Sequence, residues 1–156
     1  MAINVRGVGH VVLKVRDLER SVPFYRDVLG LKDVARYGGR ATTRSRASMA
    51  FFSAGDNHHD IGLLEVGPAA SAPEPNGVGL YHVALKIGDS LDDLRRAKEH
   101  LEAHGVEILG ISDHRVSQSI YFNDPDGNTI EVFVDADPAI WRDDPSAVAT
   151  VAPLAL

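Results

Sequence analysis

The chain of 156 residues contains an internal repeat, and this repeat limits its fold more than any other feature. The segment Gly7–Val15, GVGHVVLKV, aligns with Gly79–Ile87, GLYHVALKI, and the two share Gly, His, Val, Leu and Lys at equivalent positions. Each copy alternates like a half-buried strand, with Val11 and Leu13 on one face and His10 on the opposite face. The self-similarity indicates an architecture built from two related modules.

Each copy of the repeat is followed by a predicted helix and three strand-like segments. In the first half, Asp17 is a suitable N-cap for a helix that runs to about Leu29 and stops at Gly30. In the second half, Ser90 caps a helix that ends at Gly105. The strands that follow are predicted at 32–37, 45–53 and 60–66, and again at 106–112, 116–122 and 129–134. We therefore predict a single domain, 1–156, made of module one at about 5–68, a linker at 69–79 rich in Pro, Ala, Ser and Gly, module two at about 80–135, and a less regular tail at 136–156.

The segment from His114 to Glu131, HRVSQSIYFNDPDGNTIE, carries the most chemical information. Tyr121 lies on the predicted strand before an Asp-Pro-Asp-Gly turn, and Glu131 lies on the strand after it. Strand alternation allows both side chains to point to one face while their apolar neighbours point to the other. A carboxylate in an otherwise apolar strand needs a partner, because burying an unpaired charge is costly. A metal ion is one such partner, and Tyr121 and His114 can supply proton-handling groups beside it.

The composition excludes several classes of function. A net charge of −6 and a pI of about 5.6 argue against a nucleic-acid or anionic-membrane partner. No apolar run approaches the roughly 20 residues needed to span a bilayer, and the N-terminal sequence lacks the pattern of a secretory signal. The chain has no cysteine, which fits a cytoplasmic protein and leaves only nitrogen and oxygen ligands for any metal.

The order of elements and the two histidine-bearing strands resemble the vicinal oxygen chelate superfamily, which includes glyoxalase I, bleomycin-resistance proteins and type I extradiol dioxygenases. The resemblance covers about residues 5–135. It implies an α+β fold in which two βαβββ modules pair their sheets into a cup-shaped half-barrel around a metal site. Because the superfamily hosts isomerases, dioxygenases and non-catalytic binding proteins, the residues of the site have to decide the activity.

Three residues are candidate metal ligands: His10, His82 and Glu131. The two histidines occupy equivalent positions in the repeat, and two histidines with one carboxylate form a facial triad. Such a triad leaves coordination positions open for substrate and dioxygen on a non-haem Fe(II). Ligand type alone does not separate iron from Mn(II), which is the alternative metal.

Two segments resemble the extradiol dioxygenases in particular. The run His58-His59-Asp60-Ile61 is similar to the His-His pair that opens the last strand of module one in those enzymes, where the second histidine lies beside the oxygen site. The extradiol signature consists, in order, of a histidine, an aliphatic residue, a tyrosine, an acidic residue, a proline, a glycine and a glutamate. These places are filled by His114, Ile120, Tyr121, Asp124, Pro125, Gly127 and Glu131. Ser112, two residues before the histidine, departs from that signature.

The resemblance implies catalytic roles for His59, His114 and Tyr121. His59 would exchange protons near dioxygen, although one register slip would place His58 there instead. Tyr121 would hydrogen-bond a substrate oxygen, and His114 would lie over the site from a loop. The structural alternatives are a solvated turn for His59, core packing for Tyr121 and simple exposure for His114. The sequence thus predicts an extradiol ring-cleaving dioxygenase that inserts both atoms of O2 into a catecholic substrate.

Two other functions stay open. A metal-dependent glyoxalase- or epimerase-type isomerase or lyase would need a fourth protein ligand or a carboxylate base in the stretch 57–65. Glu65 lies too near the far end of that strand, so the site position there is expected to be His or Asp, with Asp60 as the candidate. The third function is a non-catalytic binding protein of the bleomycin-resistance type, which generally lacks the metal triad.

Further expectations concern partners. We expect a small-molecule catecholic substrate and O2, and neither nucleic acid nor membrane. A homo-oligomer is expected from the habit of the family, with Trp141 and the apolar end Val148–Leu156 as interface candidates or as a simple packed tail. A basic cluster is either a solvated hairpin or a contact for a carboxylated substrate; its members are Arg36, Arg40, Arg44 and Arg46.

Overall fold

The computed structural model describes residues 2–38 and 48–156, and the chain divides into two compact units, Met1–Ala72 and Pro73–Leu156. The described residues form an α+β fold with one open sheet of four strands and one of five. The predicted order of strand, helix and three strands is present in each unit. Our assignment of the whole chain to a single domain stays a prediction.

The first unit forms the four-stranded sheet, in the order β1-β4-β3-β2. Its elements are β1 (Val11–Val15), α1 (Leu18–Pro23), β2 (Lys32–Tyr37), β3 (Met49–Ser53) and β4 (Ile61–Glu65). The β1–β4 pair is parallel, and the other two pairs are antiparallel. Asp17 caps α1 by accepting a hydrogen bond from the Glu19 backbone N–H. One π-helical turn, Phe24–Val28, continues α1 to the left-handed Gly30, so both predicted helix ends are confirmed.

The core of the first unit lies on the α1 side of its sheet. Fully buried residues come from alternate positions of the strands and from the inner side of the helical segment: Val15, Val22, Tyr25, Phe52, Ile61 and Leu63. Each such side chain stabilises the fold by roughly 1.5–3 kcal/mol through removal from water. The same alternation leaves His10 and Val12 exposed on the opposite side.

The second unit forms the five-stranded sheet, in the order β5-β8-β7-β6-β9. Its elements are β5 (Val83–Gly88), α2 (Leu91–Ala103), β6 (Ile108–Asp113), β7 (Ser117–Asn123), β8 (Thr129–Asp135), α3 (Ala139–Asp143), a 3-10 turn (Pro145–Ala149) and β9 (Ala152–Pro153). The β5–β8 pair is parallel, as β1–β4 is in the first unit, and the other pairs are antiparallel.

Helix α2 is delimited by the residues that the sequence predicted. The Ser90 side chain accepts from the Asp93 backbone N–H, and the Asp93 carboxylate accepts from the Ser90 backbone N–H, which forms a capping box. The helix is followed by Gly105 in the left-handed conformation, at φ +70°. Leu94 and Leu101 of α2 are buried against β7 and β8.

The tight turn between β7 and β8 sets the register of the two strands. One oxygen of Asp124 accepts from the backbone N–H groups of Asp126 and Asn128, both at 2.8 Å. Gly127 adopts a φ of +91°, which an L side chain rarely takes. With this register, Tyr121 lies directly opposite Glu131. The apolar positions on the other face are buried, as predicted: Ile120, Phe122, Ile130, Val132 and Val134.

One sequence expectation changes with the structure. The tail after β8 is more regular than predicted, because α3, the 3-10 turn and β9 form there and β9 pairs with β6. These elements are too short to be signalled by periodicity and depend on packing.

Within the basic cluster, Arg36 pairs with Asp33 at 2.8 Å, whereas Arg40, Arg44 and Arg46 lie outside the described residues. Among the residues described, no helix is long and apolar enough to cross a membrane.

Candidate metal and catalytic residues

Glu131 on β8 meets the imidazole of His82, the residue immediately before β5. Glu131 Oε2 lies 2.9 Å from His82 Nε2, and only 9% of the glutamate side chain is exposed. The parallel β5–β8 ladder, in which Val83 pairs with Ile130 and Ala84 with Glu131, brings the two side chains together. The carboxylate that needed a partner on sequence grounds therefore has one within its own sheet.

Ser119 holds the second oxygen of the same carboxylate. Its hydroxyl donates to Glu131 Oε1 across the β7–β8 pair, and Ser119 itself is fully buried. Sequence reasoning missed this residue. The available signal was strand alternation, because Ser119 stands two residues before Tyr121 and therefore shares its face.

Tyr121 and His114 form a hydrogen-bonded pair next to Glu131. His114 Nδ1 lies 3.0 Å from the carbonyl oxygen of Thr150. A carbonyl oxygen can only accept, so Nδ1 carries the proton and the neutral ring presents Nε2 as an acceptor. The Tyr121 hydroxyl, at 2.8 Å from Nε2, is therefore the donor. Burial first, and then the negative charge of Glu131, raise the pKa of Tyr121 to about 12, so this hydroxyl keeps its proton near neutral pH.

The His82–Glu131 pair fits two adjacent ligands of a divalent cation. Nitrogen and oxygen ligands at about 2.1 Å from a metal and at right angles would lie about 3 Å apart, close to the separation of these two atoms. His82 Nδ1 is buried without a hydrogen-bond partner among the described residues, so the ring is tied to the sheet at its Nε2 end. Within the described part of either unit, no group of three or more His, Asp or Glu side chains could hold a metal by itself.

The first unit gathers a second set of histidines. The rings of His10, immediately before β1, and His59, before β4, lie 4.4 Å apart between centroids. His59 also meets Phe51 edge-on at 5.3 Å, and His58 Nδ1 lies 2.6 Å from His59 Nδ1. The ring that contacts His10 is thus that of His59. Partial burial, followed by the proximity of His10 and His58, lowers the pKa of His59.

Asp60, the candidate ligand or base of the isomerase alternative, is held in the turn before β4. The Asp60 carboxylate accepts from Asn57 Nδ2 and from the Ala54 backbone N–H, both at 2.7 Å. The bond from Asn57, followed by that from Ala54, lowers the pKa of Asp60. Asp60 therefore closes the turn that carries the histidines, and its oxygens are engaged there.

The position equivalent to Glu131 in the first unit is Gly62. Val12 pairs with Gly62 in the β1–β4 ladder, as Ala84 pairs with Glu131 in the β5–β8 ladder. Our expectation that His or Asp supplies the site residue of the stretch 57–65 stays a prediction, and the register equivalent of Glu131 itself is glycine. A Cβ added to Gly62 would lie 3.2 Å from Val12 Cγ2, so the site offers little room for a side chain.

The predicted site residues are divided between the two units. His10, His58 and His59 belong to the first unit, and His82, His114, Tyr121 and Glu131 belong to the second. Within the units, the structure brings His59 against His10, His82 against Glu131, and His114 against Tyr121. A common metal site of His10, His82 and Glu131 stays a prediction.

Comparison with known proteins identifies the family. Residues 7–132 match the model of the Glyoxalase/Bleomycin resistance protein/Dioxygenase superfamily, and the chain belongs to that superfamily.

Particular relatives in it are ring-cleaving enzymes by name. The chain is 34% identical over 138 residues to catechol-2,3-dioxygenase of Bacillus subtilis (strain 168), an alignment that covers 88% of this chain and 44% of that protein. It is 33% identical over 138 residues to an iron-dependent extradiol dioxygenase of Rhodococcus jostii (strain RHA1), covering 81% and 42%. The chain thus spans less than half the length of these two curated relatives.

The fold has a close counterpart among solved structures. A glyoxylase/bleomycin resistance protein/dioxygenase domain from Frankia sp. EAN1pec matches with a TM-score of 0.70 and 26% identity. The match covers 85% of this chain and 100% of that one. The α+β fold implied by the family resemblance is therefore confirmed.

Proposed function

We propose that this chain is an extradiol ring-cleaving dioxygenase, which inserts both atoms of O2 into a catecholic substrate with Fe(II) held by His10, His82 and Glu131. The observation that carries the proposal is the Tyr121–His114 hydrogen bond, formed by the residue directly opposite Glu131. When bound, Fe(II) would supply the redox chemistry and the proximity of the two reactants, and Mn(II) is the alternative. The names of the two relatives, both ring-cleaving dioxygenases, support the same activity.

The ligand assignment follows from position and from donor chemistry. His82 and Glu131 would be adjacent ligands, and Ser119 would keep one carboxylate oxygen occupied so that Oε2 faces the metal. His10 would be the third ligand, because it precedes β1 as His82 precedes β5. Hydrogen bonds to ligand carboxylates are a usual means of orienting them.

Tyr121 and His114 would handle the protons of the substrate. The Tyr121 hydroxyl, whose one proton is directed at His114 Nε2, would accept a hydrogen bond from the substrate hydroxyl that lies nearest β7. His114 would remain an acceptor at Nε2, because the Thr150 carbonyl holds the proton on Nδ1. The pair can therefore hold a catecholic hydroxyl at a fixed place and accept its proton.

His59 would exchange protons on the dioxygen side. Its ring contacts that of the proposed ligand His10 and lies against Phe51. The turn closed by Asp60 fixes this position. An imidazole so placed is a suitable acid or base near neutral pH.

Two observations count against the isomerase alternative. Asp60 is engaged in its turn, and Gly62 occupies the repeat position at which a fourth carboxylate ligand would be needed. That activity would also leave the Tyr121–His114 bond without a purpose. The binding-protein alternative would give no role to the buried Glu131 carboxylate and its partners His82 and Ser119.

The test is oxygen uptake by protein loaded anaerobically with Fe(II), with a panel of catechols that includes 2,3-dihydroxybiphenyl. We expect uptake together with a yellow ring-fission product. The variant His82→Ala should abolish both, whereas His100→Ala, which removes an exposed histidine of α2, should leave both unchanged.

Other outcomes identify the alternatives. One tightly bound metal per chain without oxygen uptake for any catechol would favour a metal-dependent isomerase. Failure to bind Fe(II) or Mn(II) would exclude both enzymes and leave the binding protein.

A further inference from the structure

The C-terminal segment 136–156 lies outside the region that matches the family model, yet it is attached beside the candidate site. Strand β9 pairs with β6 through Ser112–Pro153 and Asp113–Ala152. The Thr150 carbonyl accepts from His114 Nδ1. The segment is therefore held against the sheet next to a residue that we assign to proton transfer.

This segment walls a cleft on the second sheet. The cleft has a volume of about 320 Å³, within the range of small-molecule pockets. Its floor comes from the start of β7 and the end of β8, and its walls from the C-terminal segment; the lining residues are Val116, Ser117, Phe133, Asp135, Trp141, Pro145 and Val148. Three of the seven lining residues, Trp141, Pro145 and Val148, belong to the tail, so the cleft depends on the tail for its walls.

The cleft lies next to the candidate site along β8. Phe133 stands two residues after Glu131 on the same face, and Ser119, which bonds the Glu131 carboxylate, lies directly opposite Phe133. Same-face neighbours on a strand are about 7 Å apart. A molecule bound at Glu131 by one end would therefore reach the cleft with a substituent of one ring or a short chain.

The lining selects for an uncharged, apolar group. Five of the seven lining residues are apolar, and Trp141 and Val148 expose 49% and 65% of their surface. The carboxylate of Asp135 is paired with Lys86 Nζ at 2.9 Å, and Lys86 is shared with Asp89. A carboxylated substituent would meet the Asp135 carboxylate, whose neighbour Lys86 is already shared with Asp89, whereas an aryl or alkyl group would cover exposed apolar surface.

We propose that this cleft is the subsite for an apolar ring substituent of the catecholic substrate, and that the C-terminal segment thereby sets substrate specificity. The inference rests on the proposed function for the diol end of the substrate. It commits the enzyme to aryl- or alkyl-substituted catechols in preference to carboxylated ones.

Trp141 provides a direct reporter, because it is the single tryptophan of the chain. Its fluorescence would be followed while 2,3-dihydroxybiphenyl, catechol and 3,4-dihydroxybenzoate are titrated under strict exclusion of oxygen, with Fe(II) and without it. We expect the biphenyl to change the Trp141 emission and to bind at least about tenfold more tightly than the other two, a factor that corresponds to about 1.4 kcal/mol.

Val148→Asp and Val151→Asp form the matched pair of variants. Both valines are exposed, at 65% and 70%, and both belong to the C-terminal segment, but Val151 is not in the lining. Val148→Asp should weaken binding of the biphenyl about tenfold and leave catechol unchanged, and Val151→Asp should affect neither. Ser117→Phe, which fills the cleft from its floor, should cause the same selective loss. In turnover, only the kcat/KM for the biphenyl should fall.

Specific results would overturn the inference. Equal binding of the three compounds by the unaltered chain would do so, as would an equal loss for biphenyl and catechol in Val148→Asp. Self-association that Val148→Asp abolishes while ligand binding is unchanged would mean that a second copy covers the cleft. Ring cleavage with no sensitivity to Val148→Asp would refute the subsite and keep the proposed function. Selective, Val148-dependent binding of the biphenyl without turnover of any catechol would refute the dioxygenase and keep the cleft as an apolar ligand site.

Discussion

Tyr121 donates its hydroxyl proton to His114 Nε2 at 2.8 Å, and this bond joins the middle of β7 to the loop that precedes the strand. The direction of the bond is fixed by Thr150, 36 residues after His114, because its carbonyl accepts a hydrogen bond from His114 Nδ1. The two side chains therefore act as one unit. A change in either should disturb the other.

The first prediction tests that unit. Tyr121→Phe should lower kcat for a catechol by about a hundredfold, the size expected for loss of a positioned proton-transfer group. His114→Gln should have a similar effect, and the double variant should be little worse than the more damaging single one, because the residues act together. Steady-state kinetics on all three variants measures the coupling. Tyr37→Phe, at an exposed tyrosine of β2, is the control, and additive losses would contradict the prediction.

The second prediction concerns the hydrogen bond from Ser119 to Glu131. Ser119→Ala should weaken Fe(II) binding about tenfold, the lower end of the range for loss of a bond to a ligating residue. The physical reason is that the carboxylate would no longer be oriented toward the metal. Competition with a chelator measures the affinity. Ser117→Ala, one same-face position earlier on β7, should leave it unchanged, and equal effects of the two variants would speak against the assignment.

The third prediction concerns the turn that carries His59. Asp60→Asn removes a charged acceptor for Ala54 N–H and Asn57, and should lower the free energy of unfolding by about 1 kcal/mol. It should reduce kcat several-fold through misplacement of His59, without loss of metal binding. Asp56→Asn in the same turn is the control. Complete loss of activity in Asp60→Asn, with its stability intact, would instead indicate a catalytic base and favour the isomerase.

The fourth prediction concerns the capping box of α2 and its dependence on pH. Ser90→Ala should destabilise the fold by about 1 kcal/mol. The bond from Ser90 is the largest cause that lowers the pKa of Asp93 in the folded chain. Because the folded pKa lies below the unfolded one, this contribution is fully present above the unfolded value near 3.9. It is lost as the pH falls from there through the folded pKa.

Urea unfolding of Asp93→Asn between pH 2 and pH 7 measures this contribution. The variant should be less stable than the unaltered chain at neutral pH, and the difference should shrink as the solution is made acid. Asp92→Asn, whose carboxylate pairs with Arg95 on the helix surface, is the matched control. If the difference in stability between the two proteins stays constant with pH, the charge of Asp93 does not stabilise the cap.

Local patterns along the chain were enough to predict much of the fold. The Gly-His-Val repeat indicated two related units, and Asp17 and Ser90 marked the helix starts because a cap depends on a neighbouring residue only. Alternation on β7 and β8 separated the buried face from the one that carries Tyr121 and Glu131. These features involve neighbours in sequence, which is why the sequence reveals them.

The remaining parts of the site depend on partners that are distant in sequence. Ser119 reaches Glu131 and the Thr150 carbonyl reaches His114 only through strand pairing and the packing of the tail. The equivalence of Gly62 to Glu131 likewise depends on strand register, because Gly62 pairs with Val12 in the β1–β4 ladder as Glu131 pairs with Ala84 in the β5–β8 ladder.

The element order, the helix caps, the buried strand faces and the candidate ligands can all be read from the amino-acid sequence. The proton position on His114, the contact of His10 with His59 rather than His58, and the cleft beside Phe133 depend on the folded chain. The two groups of features differ in the range of the interactions that produce them. Propensity and periodicity act over a few residues, whereas hydrogen-bond direction, ring contacts and cavities arise from atoms that long-range strand pairing brings within a few ångströms.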